Sequence, residues 1–263
     1  MFKRMTLVVA NMIERRFQQN EIISERYLII SHLGVGSYGN SYLVFDQVSQ
    51  QEKVLKALRI HKRITKSGKI GFELEKKLLK SLKHPGFPYY YEDGTYKSIP
   101  FYTMEYIKGK NFEQLIFQEG RKYTETEAFV IAAELLELIR YLHDHQLIHR
   151  DIRIPNVIAN DSKIVLIDLG LTRKCDQEID EKPKRNLRKE INPKADFYGL
   201  GHFLLFLLYS NYSFPIDQKE SSWEEELKIS YQAKHIISRL LQIESSYESC
   251  AQVKSDFKKL LEK

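Results

Sequence analysis

The sequence predicts an α+β chain, rich in strands in its first part and helical through the rest. Three observations point there. Short runs of β-forming residues crowd the region before residue 107: Tyr27 to Ile30, Ser41 to Phe45, Val54 to Ala57 and Phe101 to Ile107. One helix-periodic stretch, residues 70–83, interrupts them. From Thr124 onward, apolar residues recur mainly at helical spacing.

The chain has 263 residues, 43% hydrophobic and 29% charged, enough for one large domain or two small lobes, each with its own core. Two cysteines, Cys175 and Cys250, cannot build a disulfide framework and fit a reducing, cytoplasmic setting. The net charge of +6 suits anionic partners without choosing among them. The most apolar run, Phe203 to Tyr209, falls far short of the ~20 residues that a bilayer demands. Residues 1–26 read as an extension. Its stretch Asn11 to Asn20 is expected to be a helix packed on the domain. The sharper alternative is a peripheral membrane or partner contact aided by Lys3, Arg4, Arg15 and Arg16.

The turn Gly34-Val35-Gly36-Ser37-Tyr38-Gly39 has β-formers on both sides. Its glycines let backbone amides approach phosphates with no Cβ in the way. A dinucleotide-binding turn shares this spacing but leads into a helix. Strand flanks favour a hairpin folded over a triphosphate. Lys56 lies in the next strand. The helix of residues 70–83 carries Glu75, a carboxylate able to pair with it, with Glu73 as the alternative if the register differs. Phe101 to Ile107 is a strand that runs into a turn marked by Gly109, and Asn111 to Gln114 caps a short helix. Thr124 and Glu127 form a capping box before a long helix from Ala128 to His143. That helix delivers the chain to His149-Arg150-Asp151-Ile152-Arg153-Ile154-Pro155-Asn156. A strand, Lys163 to Ile167, then ends at Asp168-Leu169-Gly170.

In this order and context, the segments resemble a eukaryotic-type (Hanks-type) serine/threonine protein kinase of the compact bacterial sort, over about residues 27–263. The resemblance implies a bilobal protein-kinase-like fold, with residues 27–107 as a small antiparallel-sheet lobe bearing one main helix and residues 108–263 as a helical lobe. It implies ATP- and Mg²⁺-dependent transfer of the γ-phosphate to Ser/Thr hydroxyls of a protein substrate. Asp151 would accept or orient the hydroxyl proton. Lys56, fixed by Glu75, would orient the phosphates. Arg153 would meet the γ-phosphate, where the family usually has lysine. Asn156 and Asp168 would bind Mg²⁺, a hard cation that takes oxygen ligands. Gly34, Val35, Gly36, Ser37, Tyr38 and Gly39 would cover the nucleotide. Ser41, Val54, Met104, Glu105, Ile107, Asn111 and Ile158 would line its base and ribose. Leu79, Tyr90, His149 and Leu169 would form an apolar spine. Pro155 before Asn156 favours Ser/Thr over Tyr acceptors.

The departures from the pattern are specific. Ser41 and Val54 exchange sizes relative to the usual adenine roof. Leu169 replaces phenylalanine. Lys182-Pro183-Lys184 stands where Ala-Pro-Glu is usual, which suggests a sign-exchanged pair between Lys184 and Glu248. Between Asp168 and Lys184 the only hydroxyl is Thr172, a poor basis for activation by phosphorylation of that segment. Lys182, Lys184, Arg185, Arg188 and Lys189 form a basic run, read as a solvated loop or a preference for acidic substrates. With no recognition motif beside it, nucleic acid is the weaker partner. Two rivals stand beside the kinase reading. One is a pseudokinase acting as a binding or scaffold module, suggested by the altered roof. The other is a small-molecule kinase of the aminoglycoside or choline type, suggested by the short segment after Asp168.

Overall fold

The computed structural model describes residues 16–160, 163–175, 187, 190–213 and 221–262. The chain forms two compact units. One runs up to Lys108 and takes in Asp168–Leu171; the other comprises Gly109–Ile167 and Thr172 onward.

The first unit is built on a six-stranded antiparallel sheet in the order β1-β2-β3-β4-β6-β5. The strands are β1 (Ile22–Ile23), β2 (Tyr27–Val35), β3 (Gly39–Asp46), β4 (Gln51–Leu58), β5 (Tyr90–Tyr96) and β6 (Ile99–Glu105). The start of β2 and most of β3 alternate buried with partly exposed residues, as strands with one wetter face do. β4 lies between β3 and β6, and its last six residues are all buried. One face of the sheet gathers Ile23, Tyr27, Ile29, Tyr42, Val44, Leu55 and Phe101 into a core. Between β4 and β5 come a single turn, α1 (Ile60–Arg63), and the main helix α2 (Lys66–Ser81). Thr65 caps α2 by accepting from the Gly68 amide. α2 buries Phe72, Glu75, Leu78 and Leu79.

The expected helix from Asn11 to Asn20 does not form in its described part. Residues 16–20 are coil and turn, and Asn20, Ser24 and Glu25 adopt left-handed φ, which breaks a helix. Residues 11–15 lie outside the described residues. Phe17 is buried against Tyr42 and Tyr96, and β1 pairs with β2, so the chain just before Tyr27 belongs to the sheet.

The second unit is mostly helical. It contains α3 (Phe112–Phe117), α4 (Glu125–Asp144), α5 (Pro193–Tyr209), α6 (Trp223–Glu226), α7 (Tyr231–Leu240) and α8 (Cys250–Leu261). Capping boxes at Asn111–Gln114 and Thr124–Glu127 start α3 and α4. Pro193 occupies the first turn of α5, and Ser230 and Ser249 cap α7 and α8. α5 buries ten of its residues, from Ala195 to Leu208, and is apolar nearly all round, as a central helix must be. Phe129 of α4 meets Phe257 of α8, and Phe112 of α3 meets Phe203 of α5, each with ring centroids 5.2 Å apart. The short strands β7 (Lys110–Asn111), β9 (Val157–Asn160) and β10 (Lys163–Leu166) form one small sheet. β8 (Leu147–Ile148) and β11 (Arg173–Lys174) form another. No described helix is long and apolar enough to cross a membrane.

Candidate active site

In the first unit the site centres on Lys56. β4 buries this lysine to 2% exposure, and a lone ammonium there would lose its proton. Two carboxylates prevent that. Lys56 Nζ lies 2.5 Å from Glu75 Oε1 of α2 and 3.2 Å from Asp168 Oδ1. Burial works against the charge, but Asp168 and Glu75 outweigh it and hold Lys56 well above its ordinary value. Burial raises Glu75 despite Lys56 beside it. Glu73, the alternative partner, pairs with Lys76 instead. Asp168 also accepts from the Gly170 amide, and its backbone sits at φ 61°, a strained value for a residue with a side chain.

The glycine loop lies against this pair. A Cβ on Gly36 would stand 3.2 Å from Lys56 Nζ and 3.4 Å from Asp168 Oδ2. One on Gly39 would meet the Ala57 carbonyl oxygen at 2.9 Å. Any side chain at those positions would fill the cradle over Lys56. Cross-strand register sets the remaining residues of this unit. Gly34 faces Ser41, Val35 faces Asn40, and Ser41 faces Lys56. Val54 faces Met104, and Lys53 faces Glu105. The Glu105 amide is bonded to the Tyr89 carbonyl, and Ile107 is buried.

In the second unit the site centres on Asp151. Arg153 Nε lies 2.8 Å from Asp151 Oδ1, and Asn156 Nδ2 donates to Asp151 Oδ2 and to its backbone oxygen, both at 2.9 Å. The carboxylate is therefore held on both oxygens. The loop itself hangs on Asp196, fully buried in the first turn of α5. Asp196 accepts the backbone amides of His149 (2.9 Å) and Arg150 (2.7 Å), where Arg150 takes φ 66°. His143 Nε2 lies 2.9 Å from Asp196, and the Cys250 thiol lies 3.5 Å from His143 Nδ1. Burial, with the charges of Asp196 and Asp144, pushes that thiol up to about 12, so it is no nucleophile. Asn111 caps α3 through its side-chain oxygen and pairs in register with Ile158.

Each unit thus gathers its own share of the expected residues. The spine residues Leu79, Tyr90, His149 and Leu169 are each buried. Thr172 is buried as well. Glu248 pairs with Lys194 at 2.7 Å, an exposed contact. Lys184 and the rest of the basic run lie outside the described residues. Sequence reasoning did not place Asp196 among the functional residues, and it missed His143 and Cys250. A carboxylate opening an otherwise apolar helix was the available signal for Asp196. The other two had none, because helix packing alone brings them to it.

Residues 27–263 match the family described as protein kinase domain. A probable serine/threonine-protein kinase, YbdM, of Bacillus subtilis (strain 168) is 36% identical over 249 residues, covering 95% of this chain and 94% of that protein. The serine/threonine-protein kinase PrkC of the same organism is 29% identical over 150 residues, 57% of this chain and 23% of that protein. Among solved structures, the Mycobacterium tuberculosis PknI kinase domain shares the fold, with a TM-score of 0.70 and 19% identity, over 93% of this chain and 99% of that one.

Proposed function

The chain belongs to the protein kinase family, and from that premise we propose how its residues transfer the γ-phosphate of ATP to Ser/Thr hydroxyls of proteins. The observation that carries the reading is the buried Lys56 ammonium held between Glu75 and Asp168. A charge kept in so dry a place, under a loop with no side chain at Gly36 or Gly39, suits a polyanion. Lys56 orients the phosphate chain, and Glu75 fixes Lys56. Asp151 receives the acceptor hydroxyl, with Arg153 and Asn156 locking its carboxylate in one orientation. The charge of Arg153 also serves the transferring group. Met104, Glu105 and Ile107 hold the base, under Val54 and Ser41.

Asn156 and Asp168 would each offer an oxygen to Mg²⁺, the donor type that cation takes; the amide nitrogen of Asn156 is already bonded to Asp151. Among the described residues no cluster of three or more His, Cys, Asp or Glu forms an all-protein metal cage. That suits a cation held largely by phosphates and water. When bound, Mg²⁺ would supply neutralisation of charge on the phosphates.

The test is transfer of labelled γ-phosphate to a Ser/Thr-containing acceptor protein. Asp151→Asn is expected to lower turnover by roughly a hundredfold or more, the scale of a lost general base, while ATP still raises the melting temperature. Undiminished transfer in Asp151→Asn would remove that residue from the reaction. Retention of Lys56, Glu75, Asp151, Asn156 and Asp168 speaks against a non-catalytic module.

A further inference from the structure

The tip of the glycine loop makes a contact that its role over a nucleotide does not require. Tyr38 lies on α2, where a Cβ on Gly71 would overlap its ring, 2.2 Å from Cζ and 2.5 Å from the hydroxyl oxygen. Gly71 is buried in mid-helix and carries no left-handed φ, so backbone freedom does not explain a residue that weakens a helix. Only the space its missing side chain leaves explains it. Gly68 does related work. A Cβ there would stand 2.4 Å from the Lys62 carbonyl oxygen, so its absence lets α1 close on α2. That brings Lys62 Nζ to 5.3 Å from the Tyr38 ring centre, on a face favourable to a cation. The Arg59 amide donates to the Tyr38 carbonyl at 3.1 Å. Gly71 and Glu75 are one helical turn apart, on one face of α2. Beside the ring, Ser37 packs on Gly170, where a Cβ would stand 2.8 Å from Ser37 Cβ. The loop tip therefore touches both the helix that carries Glu75 and the segment that carries Asp168, the two partners of Lys56.

We propose that Gly71 is a socket for the Tyr38 ring, and that this contact couples the glycine loop to the placement of Glu75 against Lys56. On the kinase reading above, Tyr38 and Gly71 are then positioning residues for phosphate transfer. The overlapping atoms are the far end of a side chain, so Gly71→Ala displaces the ring and leaves the fold intact. Its helix gains propensity, so its melting temperature should hold or rise. Its kcat/KM for ATP should fall roughly two- to tenfold, the scale of one aromatic contact. Tyr38→Ala should fall likewise, and Tyr38→Ala/Gly71→Ala should match Tyr38→Ala, because the added methyl then meets no ring. A merely structural role would produce no such suppression. Gly71→Ala matching or exceeding the wild type, or losses that add in the double variant, would overturn the socket. Wild-type turnover is the control for the kinase reading itself. If the wild type transfers nothing, the same comparison is made on ATP affinity by thermal shift, where equal affinities across the four proteins overturn the proposal.

Discussion

Among the described residues, the buried charges of Asp46, Lys53, Lys56, Glu75 and Asp196 are each met by an oppositely charged group or by backbone. Asp46 is fully buried, bonded to Arg26, Lys53 and Ser49 and to the Val48 amide. Arg26, first among these partners and stronger than the opposing effect of burial, holds its carboxyl far below the ordinary value of 3.8. A depressed folded value means that the stabilisation is fully present above pH 3.8 and drains away as pH falls below it. Melting temperatures at about pH 6 and pH 3 should therefore differ more in the wild type than in Asp46→Asn. That variant is itself expected to lose about 3 kcal/mol at neutral pH, because Lys53 keeps its burial without its carboxylate. Equal pH dependence in the two proteins would refute this account. None of the network was legible in the sequence, since an aspartate ending a strand reads as a turn residue. Lys56 and Glu75 were legible, because a lysine in an apolar strand and a carboxylate among helical leucines both demand a reason.

At the level of elements, pattern served the helices better than the strands. α4 was expected from Ala128 to His143 and runs from Glu125 to Asp144; its capping box marks its start. β5 was not foreseen. Its sequence, Tyr-Tyr-Glu-Asp-Gly-Thr-Tyr, lacks alternation because it is an edge strand with a register break between Tyr90 and Asp93. α4 also separates core from surface within a few residues. Leu135 is fully buried, whereas Val130 is 44% exposed. Leu135→Ala should cost about 2–5 kcal/mol by chemical denaturation. Val130→Ala should fall within about 0.5 kcal/mol of the wild type. Similar losses at both positions would mean that the helix is not seated as described.

At the scale of the two units, sequence order tells which residues fold together everywhere but at one short segment. The kinase resemblance implies a boundary after residue 107, and the first unit runs to Lys108 before its later segment. The return of Asp168–Leu171 to that first unit does not follow from any local pattern. It answers to Lys56, more than a hundred positions earlier, and only an assembled sheet makes that attraction available. The motifs were readable because phosphate chemistry restricts residue type. Asp196 and its partners escaped because they act through backbone amides, which every residue possesses.

Those amides carry a consequence for the clock of the native state. His149 and Arg150 belong to a loop, where solvent deuterium ordinarily replaces amide hydrogens within seconds to minutes. Here both hydrogens point at one buried carboxylate, itself bound by His143. Their replacement should wait for the same rare openings that release the interior of α5, so loop and helix should exchange at one rate. Amide exchange followed by mass spectrometry or NMR reads this directly. Fast exchange at His149 and Arg150 beside a slow α5 would show that the loop breathes independently of its anchor.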